Sequence, residues 1–178
     1  LYPICLLFRR DLQTEYICII YTQRITFNNM TRQEIIDTAY RLFDEGYSCS
    51  QAVLLVFAPQ CNLDEDTAKR ISSTFGGGMG RLRQKCGAIT GGFMVLGLKY
   101  GNTEPKDMDT KLNAYKLVRE LNKRVEELHG TSNCFELLKK HANTADIEAR
   151  KHHKLICRQV VGDTTGLIFD ILAEHPDS

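Results

Sequence analysis

The chain of 178 residues carries 23 Lys and Arg against 22 Asp and Glu, and 43% of its residues are hydrophobic. This length and apolar fraction suit one domain with a buried core, and they exclude a disordered chain or a disulfide-stapled miniprotein. The balanced charge argues against a nucleic-acid-binding protein, which normally carries a basic stripe. No apolar run approaches the roughly 18 residues of a membrane span. We therefore expect neither nucleic-acid binding nor a membrane span.

Residues 1–29 differ from the rest of the chain and lack the pattern of a signal peptide. A capping box at Thr31–Glu34 marks a helix start, because its side chains satisfy free backbone amides. We therefore place the helical domain at 30–178 and interpret 1–29 as a non-core N-terminal extension, either an artefact or a read-through. Cys5 and Cys18 lie in this extension and receive little functional weight. Without a secretion signal we expect a cytoplasmic protein, in which cysteines stay reduced.

The hydrophobic periodicity of the N-terminal part of the domain is helical. A first helix is predicted to end at Gly46, because glycine readily adopts the left-handed conformation that terminates a helix. A second capping box, at Ser48–Gln51, opens a nearly all-apolar helix that closes near Pro59. Asp64 then starts an amphipathic helix. The side of this third helix that we expect to be buried consists of Ala68, Ile71 and Phe75.

The central part of the chain is rich in glycine. Four glycines within Phe75–Arg81 would each cost a helix roughly 1 kcal/mol, so this segment is predicted to be a loop. It leads into an apolar core helix that begins near Cys86 and stops near Gly101. Small residues four apart on this helix would let neighbouring helices approach closely, namely Gly87 with Gly91 and Ala88 with Gly92.

The C-terminal part predicts three further helical regions. A long helix follows Pro105 and ends at Gly130, a short one begins at Asn133, and the last region covers 148–174, where Gly162 and Gly166 could divide it. The long helix is expected to bury one stripe, made of Leu112, Tyr115, Val118, Leu121, Val125 and Leu128. No strand pattern is found. We therefore predict an all-α fold, a single compact bundle of about six to eight helices.

Cysteine is the residue type that points to chemistry, since a chain of this size does not need seven cysteines for stability. Cys49 and Cys134 each fall in the first turn of a predicted helix, and Cys86 lies where the glycine loop meets the core helix. Free amides and the helix dipole favour a thiolate at such positions and lower the thiol pKa from about 8.5. Cys157 lies four residues after His153, which could pair with its thiolate or join a metal site.

Two other interpretations of these cysteines stay open. The spacing contains no Cys-x-x-Cys pair, which argues against a zinc ribbon or a thioredoxin-type motif. Separate helices can still converge on zinc or an iron–sulfur cluster, with four cysteines or with three cysteines and His153 as ligands. Alternatively, the cysteines are small hydrophobic residues in the core of a helical interaction domain. Cys61, in a predicted loop, is interpreted as incidental.

The four cysteines stand in an ordered set of motifs. The first lies in Gly46–Ala52, the glycine loop 75–81 leads to Cys86-Gly87-Ala88-x-x-Gly91, and Cys134 and Cys157 follow. This order resembles the C-GCAxxG-C-C family, small bacterial and archaeal proteins described as redox-active. The resemblance covers 30–178 and implies an all-helical fold. It also implies that the functional set is Cys49, Cys86, Cys134 and Cys157.

Residues and resemblance together predict a redox-active protein with thiol–disulfide oxidoreductase-like chemistry. One helix-start thiolate, from Cys49, Cys86 or Cys134, would attack an oxidised partner, and a second cysteine would resolve the mixed disulfide. The partner would be a redox protein or a small molecule. The sequence identifies neither the electron donor nor the pairing of the cysteines.

Overall fold

The structure, a computed structural model, describes residues 30–139 and 146–176, with side chains from 154 onward in the last helix. These residues form seven helices and one short helical turn, without a strand, which confirms the predicted all-α fold. Residues 1–29, which the sequence analysis predicts to be an extension, lie outside the described residues together with Cys5 and Cys18. Within the described part of the chain, no helix has the length and apolar character needed to cross a membrane.

The helices begin at residues that cap them. In chain order they are α1 (Arg32–Asp44), α2 (Cys49–Phe57), α3 (Glu65–Ser73), α4 (Gly87–Tyr100), α5 (Met108–His129), α6 (Cys134–Lys139) and α7 (Asp146–Glu174). Both predicted capping boxes are present, with Thr31 before α1 and Ser48 before α2. Asp64 and Asn133 accept backbone hydrogen bonds in the first turns of α3 and α6. Local sequence therefore fixes where these helices start.

The central helix of the bundle is α4, which packs against α2, α5 and α7, while α1 packs on α2 and α7. Glycines permit this arrangement. A Cβ at Gly91 would lie 2.7 Å from the Ser50 carbonyl oxygen, and one at Gly92 would lie 2.7 Å from the Leu121 side chain. Real Cβ atoms essentially never come within 3.0 Å of such atoms. The predicted close approach along α4 is therefore confirmed.

An apolar core holds α2 and α4 in place. The largest fully buried side chains come from five helices and include Ile35, Leu54, Phe57, Ile89, Leu96, Leu117, Leu121, Ile168 and Ile171. Burying a side chain of this kind contributes roughly 1.5–3 kcal/mol. The starts of α2 and α4 are thus fixed relative to each other by packing along both helices.

The buried faces of α3 and α5 differ in part from the prediction. Ile71 is 54% exposed, and α3 buries Ala68 and Ser72 instead. On α5 the predicted stripe was partly wrong, since Leu112, Tyr115 and Leu128 are exposed whereas Ala114 and Leu117 are buried beside Leu121 and Val125. Burial follows the closest approach of neighbouring helices and not hydrophobicity alone. A small residue such as Ala114 can therefore occupy a contact face.

The last helix, α7, is continuous where Gly162 and Gly166 could have divided it. Both glycines lie against α1. A Cβ at Gly162 would overlap the Tyr40 ring, and one at Gly166 would lie 2.6 Å from the Arg32 guanidinium. These glycines therefore allow close packing of α7 on α1 and do not break the helix.

Replacing Gly91 with Ala tests the close packing of α4 on α2. The added methyl group would meet the Ser50 carbonyl, so we expect Gly91→Ala to lower the free energy of unfolding by about 1–3 kcal/mol, as overpacking does. Gly97→Ala is the matched control in the same helix, because a Cβ there has no atom within 4 Å. It should raise stability by up to about 1 kcal/mol. Denaturant unfolding followed by circular dichroism measures both variants, and equal stabilities would contradict this packing.

Candidate functional site

Three of the four predicted cysteines lie at helix starts that the fold brings together. Cys49 is the first residue of α2, Cys86 is the N-cap of α4, and Cys134 is the first residue of α6. All three are buried, with 8%, 6% and 5% of their surface exposed. Cys157 comes from α7 and is partly exposed. The charge of Cys49 acts on the other three thiols, so the four cysteines share one electrostatic environment.

The side chains of Cys49 and Cys86 are hydrogen-bonded to each other. This bond is the main cause that lowers the pKa of Cys49 to about 6, against the opposing effect of burial. Backbone amides of Gly77, Ser50 and Cys49 itself add to the effect by donating to Cys49 Sγ. The same side-chain bond, together with burial, raises the pKa of Cys86 well above its ordinary value. The directions of the two shifts make Cys49 the sulfur of the pair that ionises first, with the Cys86 thiol as its hydrogen-bond donor.

Cys134 lies beside a cation. Nη1 of Arg83 is 3.9 Å from Cys134 Sγ, the distance of a weak hydrogen bond to sulfur. Burial raises the pKa of Cys134, and Arg83 offsets only part of that rise. The prediction that helix starts lower the thiol pKa was therefore wrong for Cys134 and Cys86. For Cys134, the effect of burial on the thiol pKa outweighs that of the dipole of the six-residue α6. Cys86 keeps its proton because the thiol donates that proton in a hydrogen bond to Cys49.

The remaining two described cysteines are protonated thiols. Burial raises the pKa of Cys157 to about 12, and the charges of Cys49 and Cys134 add to this. The side chain of His153 lies outside the described residues, so its pairing with Cys157 stays a prediction. Burial raises the pKa of Cys61 to about 11 in the turn after α2, where Lys99 is the charged group that acts on it. No described cysteine acts electrostatically on Cys61, which separates it from the site.

A run of left-handed backbone forms one wall of the site. The predicted loop 75–81 contains a helical turn, Gly76–Met79, but Gly77 and Gly78 inside it have positive φ values of 65° and 74°. A Cβ at Gly78 would lie 2.6 Å from Cys134 Cβ, so only glycine lets the backbone of this turn pass so close to the Cys134 side chain. The left-handed conformation recurs in three non-glycine residues, Met79, Arg81 and Arg83, with φ of 63°, 67° and 60°. Such backbone strain persists where the surrounding structure enforces it, commonly at functional sites.

The segment before α4 is fastened to the start of α6. The Cys86 amide donates to the Ser132 carbonyl at 3.0 Å, and the Cys134 amide donates to the Gln84 carbonyl at 2.5 Å. One isolated antiparallel bridge joins the same two segments. Lys85 Nζ also donates to Ser132 Oγ at 2.6 Å. These contacts fix Cys86 and Cys134 relative to each other across a long separation in sequence.

Sequence analysis missed Arg83 and the amide of Gly77. No local signal points to Arg83, because its sulfur partner is Cys134, which lies 51 residues further along the chain and meets it only through the fold. The role of the Gly77 amide depends on the left-handed turn that aims it at Cys49. The glycine run indicates that such a turn is possible, but no local signal indicates where its amides point.

No three of the described sulfur atoms have the spacing of a closed zinc site. Three ligand atoms lie within 4.8 Å of one another only in Glu120, Glu174 and His175, as far as the described residues go. That group lies at the far end of α4, where Tyr100 bonds the His175 carbonyl, and Arg124 already pairs with both glutamates. Zinc–sulfur bonds are about 2.3 Å long. A zinc ion held by three of these cysteines would therefore require their sulfur atoms to move closer together.

Comparison with known proteins identifies a family. A model of the C_GCAxxG_C_C family, described as "Putative redox-active protein (C_GCAxxG_C_C)", matches residues 47–171. The matched span is most of the chain and contains all four cysteines of the site. The chain therefore belongs to this family, in agreement with the resemblance in its motifs. No curated protein and no solved structure gave a significant match.

Removing the Cys86 thiol tests the origin of the low pKa of Cys49. Cys86→Ala deletes the main hydrogen-bond donor, so we expect the pKa of Cys49 to rise from about 6 toward the ordinary thiol range. In the wild type the thiolate is lost only as the pH falls through about 6. In Cys86→Ala it would already be protonated at neutral pH. Cys86→Ser keeps a donor and is the matched control, with a low pKa expected. Ultraviolet titration of thiolate absorbance, assigned with Cys49→Ser, measures this, and an unchanged midpoint in Cys86→Ala would contradict it.

Proposed function

We propose that this protein is a dithiol redox protein in which Cys49 is the nucleophile and Cys86 is the resolving thiol. The observation that carries the proposal is the hydrogen bond between the two buried thiols, which leaves the negative charge on Cys49. The thiolate is the reactive form of cysteine, and a nucleophile with a pKa near the ambient pH reacts best. Membership of a family described as redox-active supports the same chemistry.

The reaction takes place in two steps. The Cys49 thiolate attacks an oxidised group of the substrate, such as one sulfur of a disulfide, and forms a covalent bond to it while the first leaving group departs. The Cys86 sulfur then attacks Cys49 Sγ, expels the rest of the reduced substrate and leaves a Cys49–Cys86 disulfide. The pair gives up two electrons, and its protons leave with the products. An external dithiol restores both thiols by the reverse exchange.

The other two cysteines of the family lie beside this pair as neutral thiols. The pKa values of Cys134 and Cys157 are raised, so both are poor nucleophiles at neutral pH. The first disulfide therefore does not require them. We include the cytoplasm in the proposal, because a reducing compartment returns the cysteines of a dithiol redox protein to thiols.

A metal site on the same four cysteines is the alternative function. The convergence of four cysteines from four helices favours it, whereas no three of the described sulfur atoms lie within 4.8 Å of one another, which counts against a zinc site. A helical interaction domain with packed cysteines is the third candidate. It predicts that no cysteine reacts faster than an ordinary buried thiol, whereas the lowered pKa of Cys49 predicts that this thiol reacts faster.

Differential alkylation with mass mapping tests the proposal. We expect diamide, a small thiol oxidant, to produce a Cys49–Cys86 disulfide that dithiothreitol reverses, because these two thiols are hydrogen-bonded. The disulfide should be absent in Cys49→Ser and in Cys86→Ser. The double variant Cys134→Ser, Cys157→Ser is the matched control and should still form it.

Three results would contradict the proposal. They are a disulfide that always involves Cys134 or Cys157, no disulfide at all in folded protein, and thiols that become alkylated only after a chelator is added. The last result would favour the metal site instead. Circular dichroism of each variant establishes that the protein tested is folded.

A further inference from the structure

The surroundings of Cys49 favour a small oxidant over a bulky one. Only 8% of Cys49 is exposed, and 6% of Cys86. The start of α4 covers the sulfur so closely that a Cβ at Gly87 would overlap Cys49 Sγ. A disulfide substrate must bring two sulfur atoms and their carbons into line with the attacking thiolate. A hydroperoxide needs to bring only its two oxygen atoms.

The same surroundings are rich in hydrogen-bond donors. The Cys86 thiol and the amides of Gly77 and Ser50 are directed at Cys49 Sγ. Arg83 borders this group, with Nη1 3.9 Å from the position of a Cβ on Gly77 and 3.9 Å from Cys134 Sγ. Among the described residues, Arg83 has no carboxylate partner. Donors held in a dry site stabilise the negative charge that develops on an oxygen when its bond breaks.

We propose that the oxidant reduced by Cys49 is a small hydroperoxide, which makes the protein a thiol-dependent peroxidase. This inference rests on the proposed function and names its substrate class. It combines three features of one place, namely a buried thiolate with hydrogen-bond donors around it, a cation beside the adjoining Gly77 turn and Cys134, and a resolving thiol in direct contact. A small polar oxidant fits all three features.

The chemistry balances in three steps. The Cys49 thiolate attacks one peroxide oxygen, so that an S–O bond forms, the O–O bond breaks, and the other oxygen takes a proton from solvent and leaves as water or an alcohol. The Cys86 thiol then attacks the sulfenic sulfur. The S–S bond forms, and the hydroxyl group leaves as water with the Cys86 proton. An external dithiol supplies two electrons and two protons and is itself oxidised to a disulfide.

Rapid-mixing kinetics with hydrogen peroxide tests the inference on the full chain. We expect Cys49 to be oxidised at least about 100-fold faster than free cysteine thiolate, the scale of one preorganised donor in an active site. In Cys86→Ser the sulfenic acid cannot be resolved by Cys86, and dimedone should label Cys49. Arg83→Gln should slow the reaction with peroxide. Cys61→Ser, at a cysteine outside the site, is the control and should keep the wild-type peroxide rate.

The outcomes separate this inference from the function on which it rests. If diamide forms the Cys49–Cys86 disulfide but peroxide reacts no faster than with free cysteine, the peroxidase inference is overturned and the dithiol function stands. If neither reagent forms that disulfide in folded protein, both are overturned. Dimedone labelling of Cys134 or Cys157 in place of Cys49 would also overturn the inference.

Discussion

The close approach of α2 and α4 is the constraint on which the candidate site depends. Gly87 and Gly91 let the two helices begin side by side, and Gly87 lies directly on the sulfur of Cys49. A glycine inside a helix lowers its stability by about 1 kcal/mol relative to alanine. That loss has to be offset by the contacts that the glycine permits. What these two glycines permit is contact between Cys49 and Cys86 in a place with little water. The same glycines therefore determine both the packing of α2 on α4 and the contact between the two thiols.

The opposite pKa shifts of the two thiols follow from this contact. Burial disfavours a charge on either sulfur, and two adjacent thiolates would repel each other. One sulfur takes the charge, and the balance of backbone amides favours Cys49, because those of Gly77, Ser50 and Cys49 itself act on its sulfur whereas that of Ala88 acts on Cys86. A helix start is not sufficient by itself, since Cys134 also begins a helix and keeps its proton. The roles of nucleophile and resolving thiol thus depend on surroundings that several segments build together.

Much of the fold could be predicted, because its signals are local. The capping boxes at Thr31 and Ser48 and the small residues of α4 act through neighbours in the sequence or along one helix face. The four cysteines could also be named in advance. The charge distribution among them could not, because it depends on a left-handed turn and on Arg83, which the chain brings to the site from other elements. The exposure of Ile71 escaped prediction for a similar reason, since it depends on where neighbouring helices lie.

NMR of isotope-labelled cysteine β-carbons tests the central claim most directly, because their chemical shifts distinguish thiol, thiolate and disulfide at each residue. The account predicts that Cys49 titrates with a midpoint of about 6 while Cys86 remains a thiol through neutral pH. On mild oxidation, those two signals alone among the described cysteines should move to disulfide positions. Titration of Cys49 and Cys86 together near the ordinary thiol value of about 8.5 would contradict the account.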